Sequence, residues 1–146
     1  MRVITTFTLS LALLLGLPTV VPTLAANAVA ATPAETASQV RANWAKSKEA
    51  YLASVKSYQV VAAYAKTISE YTAATDKAGA TLDQYLNLKL AGSPPEQVTP
   101  VIDQLSRDLL AMKAVRAKAT GGLATSLGNA LSQQNQITQT ALSNMR

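Results

Sequence analysis

The sequence predicts an all-α protein: a long antiparallel helical hairpin or a small up-down helix bundle, coiled-coil-like in its apolar spacing and preceded by a signal peptide. Three observations carry this expectation. Between Thr32 and Leu90 the chain holds one proline, Pro33, and one glycine, Gly79, in a stretch rich in residues that favour helix. Apolar side chains recur at steps of three and four residues. A helix-start signature occurs twice, with a glycine stop between the two copies.

Residues 1–30 read as an export leader. Met1-Arg2 supplies a positive charge, Val3 to Leu17 form a short apolar core, and small residues follow Pro18 and Pro22. Ala26-Asn27-Ala28 and Ala28-Val29-Ala30 both fit an A-x-A cleavage site, which places the cut near residue 28 or 30. The apolar core is about fifteen residues long and contains Thr5, Thr6, Thr8 and Ser10, whereas a spanning helix needs roughly 20 apolar residues. The expectation is therefore a cleaved leader and an exported protein, periplasmic or secreted. The chain has no cysteine, so it carries no lipid-modified cysteine at the cut and is not a lipoprotein. It also has no disulfide to stabilise it in an oxidising compartment. Of 13 Lys and Arg residues Arg2 lies in the leader, which leaves twelve against eight Asp and Glu. That balance is compatible with a lipid or anionic envelope surface as partner.

Residues 31–146 are expected to form a single helical domain. In "TPAE", Thr32 is placed as N-cap, Pro33 at the first helical position and Glu35 three residues after the cap, a capping box. "SPPE" repeats the pattern with Ser93, Pro94 and Glu96, and Gly92 supplies the stop before it. Arm one then covers about 33–91 and the turn about 92–99. Pro100 would remove a helical hydrogen bond, so arm two is expected from about 100 to 143. Gly121-Gly122 interrupts that arm at a cost of roughly 2 kcal/mol against alanine. Leu105, Leu109, Met112, Val115, Ala119, Leu123 and Leu127 nevertheless continue in phase across the pair, which favours a bend or an unbroken helix.

Arm one carries the most informative pattern. Trp44, Tyr51 and Tyr58 are spaced by seven, so they share one helix line, and Val55 lies with them. This line is the candidate interaction face. Tyr64, Tyr71 and Tyr85 form a second aromatic row. At about 100° per residue, the step from Tyr58 to Tyr64 turns the row by roughly 120°, far more than the ~20° per heptad drift of a two-helix seam. Either the arm kinks, with Gly79 as the candidate point, or its halves face different neighbours. In a simple hairpin the start of arm one, with Trp44, overhangs the end of arm two. The first row then either packs within the protein, with the arm folding back on itself, or becomes a surface for a second copy of the chain or another protein.

The residue types exclude much chemistry. With neither histidine nor cysteine, the chain has no Cys–His or Ser–His–Asp machinery and no histidine-ligated zinc. Neighbouring Ser47/Lys48 and Lys56/Ser57 do not face each other on a helix. Asp76 and Asp83 share a face but lie about 10 Å apart, too far for a retaining glycosidase pair. No catalytic, cofactor or metal site is expected. The cluster Arg107, Lys113, Arg116 and Lys118 scatters around its helix among Asp103 and Asp108, so it reads as a solvated face, not a nucleic-acid surface. The expected function is contact with a protein partner or with itself, as an oligomer or accessory subunit of an envelope assembly. The alternative is binding of lipid or another apolar surface.

Overall fold

The structure, a computed structural model, describes residues 31–145, so the expected leader at residues 1–30 lies outside the described residues. Four helices account for nearly all of them: α1 (Pro33–Val55), α2 (Ala62–Leu90), α3 (Pro95–Arg116) and α4 (Gly121–Asn144). A 3₁₀ segment, Lys56–Val60, joins the first two. No strand occurs among the described residues.

Helix α1 starts where the local chemistry dictates. The Thr32 hydroxyl accepts from the Glu35 amide at 3.1 Å, and the Glu35 carboxylate accepts from the Thr32 amide at 2.9 Å. Each side chain satisfies an amide that has no partner inside the helix. Helix α2 ends as the glycine predicts. Gly92 takes φ +68°, the Ser93 amide donates to the Leu88 carbonyl and the Gly92 amide to the Lys89 carbonyl. This is the Schellman arrangement, which a residue with a Cβ adopts only at a cost.

The second capping box does not form. Pro94 is the N-cap of α3 with no side-chain bond, Pro95 is the first helical residue, and the helix runs through Pro100. The turn is thus shorter than 92–99. Pro100 is tolerated because its missing bond falls on the Glu96 carbonyl, in an exposed first turn where water can replace it.

Both arms break, arm one away from the expected point and arm two beside the Gly121-Gly122 pair. Gly79 lies inside an uninterrupted α2, while arm one parts at residues 56–61, which hold neither glycine nor proline. Arm two parts at 117–120, where Gly121 takes φ +59°. The two breaks lie at the same end of the molecule, so the long hairpin is doubled into an up-down-up-down bundle. Ion pairs trace the antiparallel register of α1 and α2: Lys48 with Asp76, then Arg41 with Asp83. Thr81 meets Asp108 between α2 and α3, and Glu70 of α2 meets Lys118 just beyond the end of α3. Ser47 meets Gln134 between α1 and α4. Helices α2 and α3 approach closely along their length, as do α1 and α4, and these two pairs face each other across the core.

The buried positions follow the three-four rhythm of bundle helices: Val98, Val101, Leu105, Asp108 and Met112 in α3, and Leu123, Leu127, Ala130, Gln134, Thr138 and Ala141 in α4. The expected overhang of arm one is absent. The register of Ser47 with Gln134 carries the end of α4 beside the start of α1, where Ala37 and Met145 are both buried.

Candidate functional site

The first aromatic row lies inside the protein. Trp44 is 9% exposed, Tyr51 and Val55 are buried, and Tyr58 is half-buried. In the second row Tyr71 and Tyr85 are buried and Tyr64 is half-buried. The rows meet each other. The rings of Tyr51 and Tyr71 are 5.0 Å apart at 54°, and those of Tyr58 and Tyr64 are 6.0 Å apart and edge-on. The roughly 120° step between rows marks the place where the chain reverses and lays one row on the other. The candidate interaction face is thus corrected to core, because α2 and α4 of the same chain cover it.

Each aromatic has a specific seat. Trp44 fits because residue 79 lacks a side chain: a Cβ there would lie 2.5 Å from the indole Nε1. Gly79 therefore serves close approach, not a kink. The Tyr58 hydroxyl likewise occupies the space above Gly122, where a Cβ would be 2.0 Å away. Outside Trp44 a groove of about 440 Å³ runs between α1 and α2, bounded by the Arg41–Asp83 and Lys48–Asp76 pairs.

A polar network crosses the core beside the aromatics. The Tyr71 hydroxyl donates to Gln134 Oε1 at 2.9 Å, and Gln134 Nε2 donates to the Ser47 hydroxyl at 3.4 Å. Ser47 in turn donates to the Trp44 carbonyl at 2.7 Å. The Tyr51 hydroxyl donates to the Ile68 carbonyl and lies 2.9 Å from the Thr72 hydroxyl. Thr75 is buried without a hydrogen bond of ordinary geometry, although its hydroxyl lies near enough to Tyr71 to favour the ionised phenol. Burial outweighs that influence and raises the Tyr71 pKa well above the ordinary 10, with Tyr51 adding to the shift. Burial also raises Tyr51, opposed by the Thr72 bond and reinforced by Asp76.

These shifts carry a sign. Unfolded phenols lose their protons near pH 10, whereas the folded ones retain them. The stabilisation is complete below that pH and is lost as pH rises through the folded values. Chemical denaturation at increasing alkaline pH should show stability falling above about pH 10, and Tyr71→Phe should flatten the fall. An equal slope in the variant would mean that Tyr71 contributes nothing to it.

The arrangement places no nucleophile beside a base among the residues the sequence singled out. Ser47 is buried while the Lys48 ammonium bonds Asp76 at the surface. Asp108 is buried and Asp103 exposed. Among the described residues no three acidic side chains cluster to hold a metal.

No protein family, characterised protein or solved structure matches the chain.

A different surface stands out at the end where both arms break. Val60 is 87% exposed and Val61 46%. The same end of the bundle carries Lys56 in the 3₁₀ segment, Lys66 in the second turn of α2, Lys113 and Arg116 in the last turn of α3, and Lys118 in the connection to α4, all exposed, with the Arg116 guanidinium lying against Gly128 of α4. Glu70, the acidic residue nearest on α2, is paired with Lys118 at 3.1 Å. The far end carries Glu35, Asp83, Glu96 and Asp103, with Arg41 and Lys89 among them. Sequence reasoning missed this surface because Lys113, Arg116 and Lys118 are separated from Lys56 and Lys66 by about fifty residues, and it takes the pairing of α2 with α3 together with the break at 56–61 to bring them to one end.

Proposed function

We propose that the protein is an exported, non-enzymatic helical protein that acts by contact, and that its contact surface is the basic end of the bundle. The exposed Val60-Val61 pair, at the end of the bundle that also carries exposed Lys56, Lys66, Lys113 and Lys118, supports this reading. An apolar centre with a charged rim has the anatomy of a docking patch, and positive charge steers encounter with an acidic partner. The partner that fits is an envelope protein with an acidic face and an apolar recess for the two valines. The exposed valines and basic side chains at one end also suit a second reading, an anionic lipid surface. There the valines would enter the interface while the lysines stay at the headgroups, each contributing about 1 kcal/mol. No helix among the described residues is long and apolar enough to cross a membrane.

A photo-crosslinking side chain at position 60 tests the first reading. In cells that export the protein it should join one polypeptide, and Lys56→Glu with Lys66→Glu should abolish the product. The same group at exposed Leu110 should give none. Flotation with anionic vesicles, lost on the same charge reversal and absent with neutral vesicles, would select the lipid reading instead. Neither crosslink nor flotation would overturn the assignment of this end as the contact surface.

A further inference from the structure

Helix α4 presents a surface unlike any other on the bundle. From Gly121 to Asn144 it carries no charged residue, whereas α1 carries five and α2 and α3 six each, so the lack of charge is confined to one element. Its outward side is nevertheless polar. Ser126, Asn129, Gln133, Gln136 and Thr140 recur at steps of three and four and so form one line along the helix, exposed throughout except for half-buried Ser126. The register set by Ser47 and Gln134 lays this line beside α1. A pocket of about 200 Å³ opens there between the two helices, framed by Ser54, Ser126, Asn129 and Gln133 with Ala50 and Ala130 between them, and no charged side chain lines it. The Arg116 guanidinium does reach α4, but at Gly128, about 140° around the helix from Gln133.

Among the described residues the side chains of Ser126, Asn129 and Gln133 have no hydrogen-bond partner. The Ser54 hydroxyl donates to the Tyr51 carbonyl at 2.8 Å and keeps its lone pairs free to accept. An uncharged face offers an acidic or basic polymer no ion pair, and a row of carboxamides offers a lipid little apolar contact. It fits a neutral ligand rich in hydroxyls. A hydroxyl both donates and accepts, as does each carboxamide, and neutral groups are desolvated at lower cost than charges. Ala50 and Ala130 present only methyl groups, against which the apolar face of a sugar ring can rest. The polar groups recur about once per helical turn of roughly 5.4 Å, which suits a polymer that repeats its hydroxyls along its length. We propose that the α1–α4 face binds a neutral glycan, with one sugar unit in the pocket beside Asn129 and Gln133 and further units along Gln136 and Thr140. This site is separate from the basic end, since none of Lys56, Lys66, Lys113 or Lys118 lines it.

Titration with chitopentaose, cellopentaose and maltopentaose, followed by calorimetry and by side-chain amide shifts in NMR, tests the site. At least one of the three should saturate the protein, with an affinity that added salt leaves unchanged because no ion pair is formed. Asn129→Ala with Gln133→Ala removes the hydrogen-bonding groups while favouring helix. It should weaken binding about ten-fold or more and preserve the circular dichroism signal. Asn135→Ala with Gln139→Ala, on the opposite flank of α4, should leave binding unchanged, and so should Lys56→Glu with Lys66→Glu. A lack of saturation by all three sugars at millimolar concentration would overturn the proposal. So would binding that salt abolishes, or binding that Asn129→Ala with Gln133→Ala retains in full. Should light scattering find a sugar-free dimer that this same double variant dissolves, the face belongs to a second copy of the chain and the glycan assignment falls.

Discussion

Replacing Trp44 with alanine will destabilise the folded chain by about 3 kcal/mol, near the lower limit for loss of a buried tryptophan. The lower limit applies because Trp44 borders an open groove, so water can enter part of the space it leaves. For a domain of this size the melting temperature should fall by about 10 °C or more, read by circular dichroism. The wild-type indole should emit at short wavelength at every protein concentration. A companion substitution identifies the cause. With tryptophan present, Gly79→Ala brings a Cβ to within 2.5 Å of the indole nitrogen and should cost about 1–3 kcal/mol. In the Trp44→Ala background the same change should be neutral or stabilising, since alanine favours helix by about 1 kcal/mol over glycine. Additive effects would mean that the two residues do not touch. An unchanged melting temperature in Trp44→Ala would return the aromatic row to the surface.

A second large effect is expected at Thr81. Asp108 is buried between Leu105 and Met112 and accepts from the Thr81 hydroxyl at 2.5 Å and from Gln104 Nε2 at 2.8 Å. The Lys77 ammonium is 3.7 Å away but mostly in water, so it compensates the charge weakly. The Thr81 hydroxyl also lies 3.1 Å from the Lys77 carbonyl. It has one proton, and the shorter contact to a carboxylate is the stronger claim on it. Thr81→Val removes that donor from a buried carboxylate and should cost about 2–3 kcal/mol in denaturant titrations. Adding Asp108→Leu should recover the loss, because an apolar residue suits a position flanked by Leu105 and Met112 and removes a desolvated charge. A double variant no more stable than Thr81→Val would show that Asp108 is not held by Thr81.

Helix α1 and the stop after α2 were legible because their causes are local. The Thr32–Glu35 box and the Gly92 turn involve residues within five positions of each other, and the buried positions of α3 and α4 follow a period that can be counted. The aromatic pattern was legible in part. The change of row between Tyr58 and Tyr64 registers a real event, but whether it means a kink, two neighbours or a reversal depends on what lies opposite. Gly79 illustrates the difficulty. As a residue type it points to a break, and its use, room for an indole 35 positions away in sequence, requires the partner to be in place.

The sequence by itself determined that the chain is helical, where α1 begins and α2 ends, and the apolar period of α3 and α4, because turns and amphipathic faces arise from interactions within one or two helical turns. Only the tertiary structure decided that each arm doubles back. The segment 56–61 is competent to be helix, and it yields because folding lays Tyr51 on Tyr71 and Trp44 on Gly79, burying aromatic surface that a straight arm would leave in water. That same reversal joins Ser47, Tyr71 and Gln134 in one network, a juxtaposition between residues far apart in the chain that no local preference encodes.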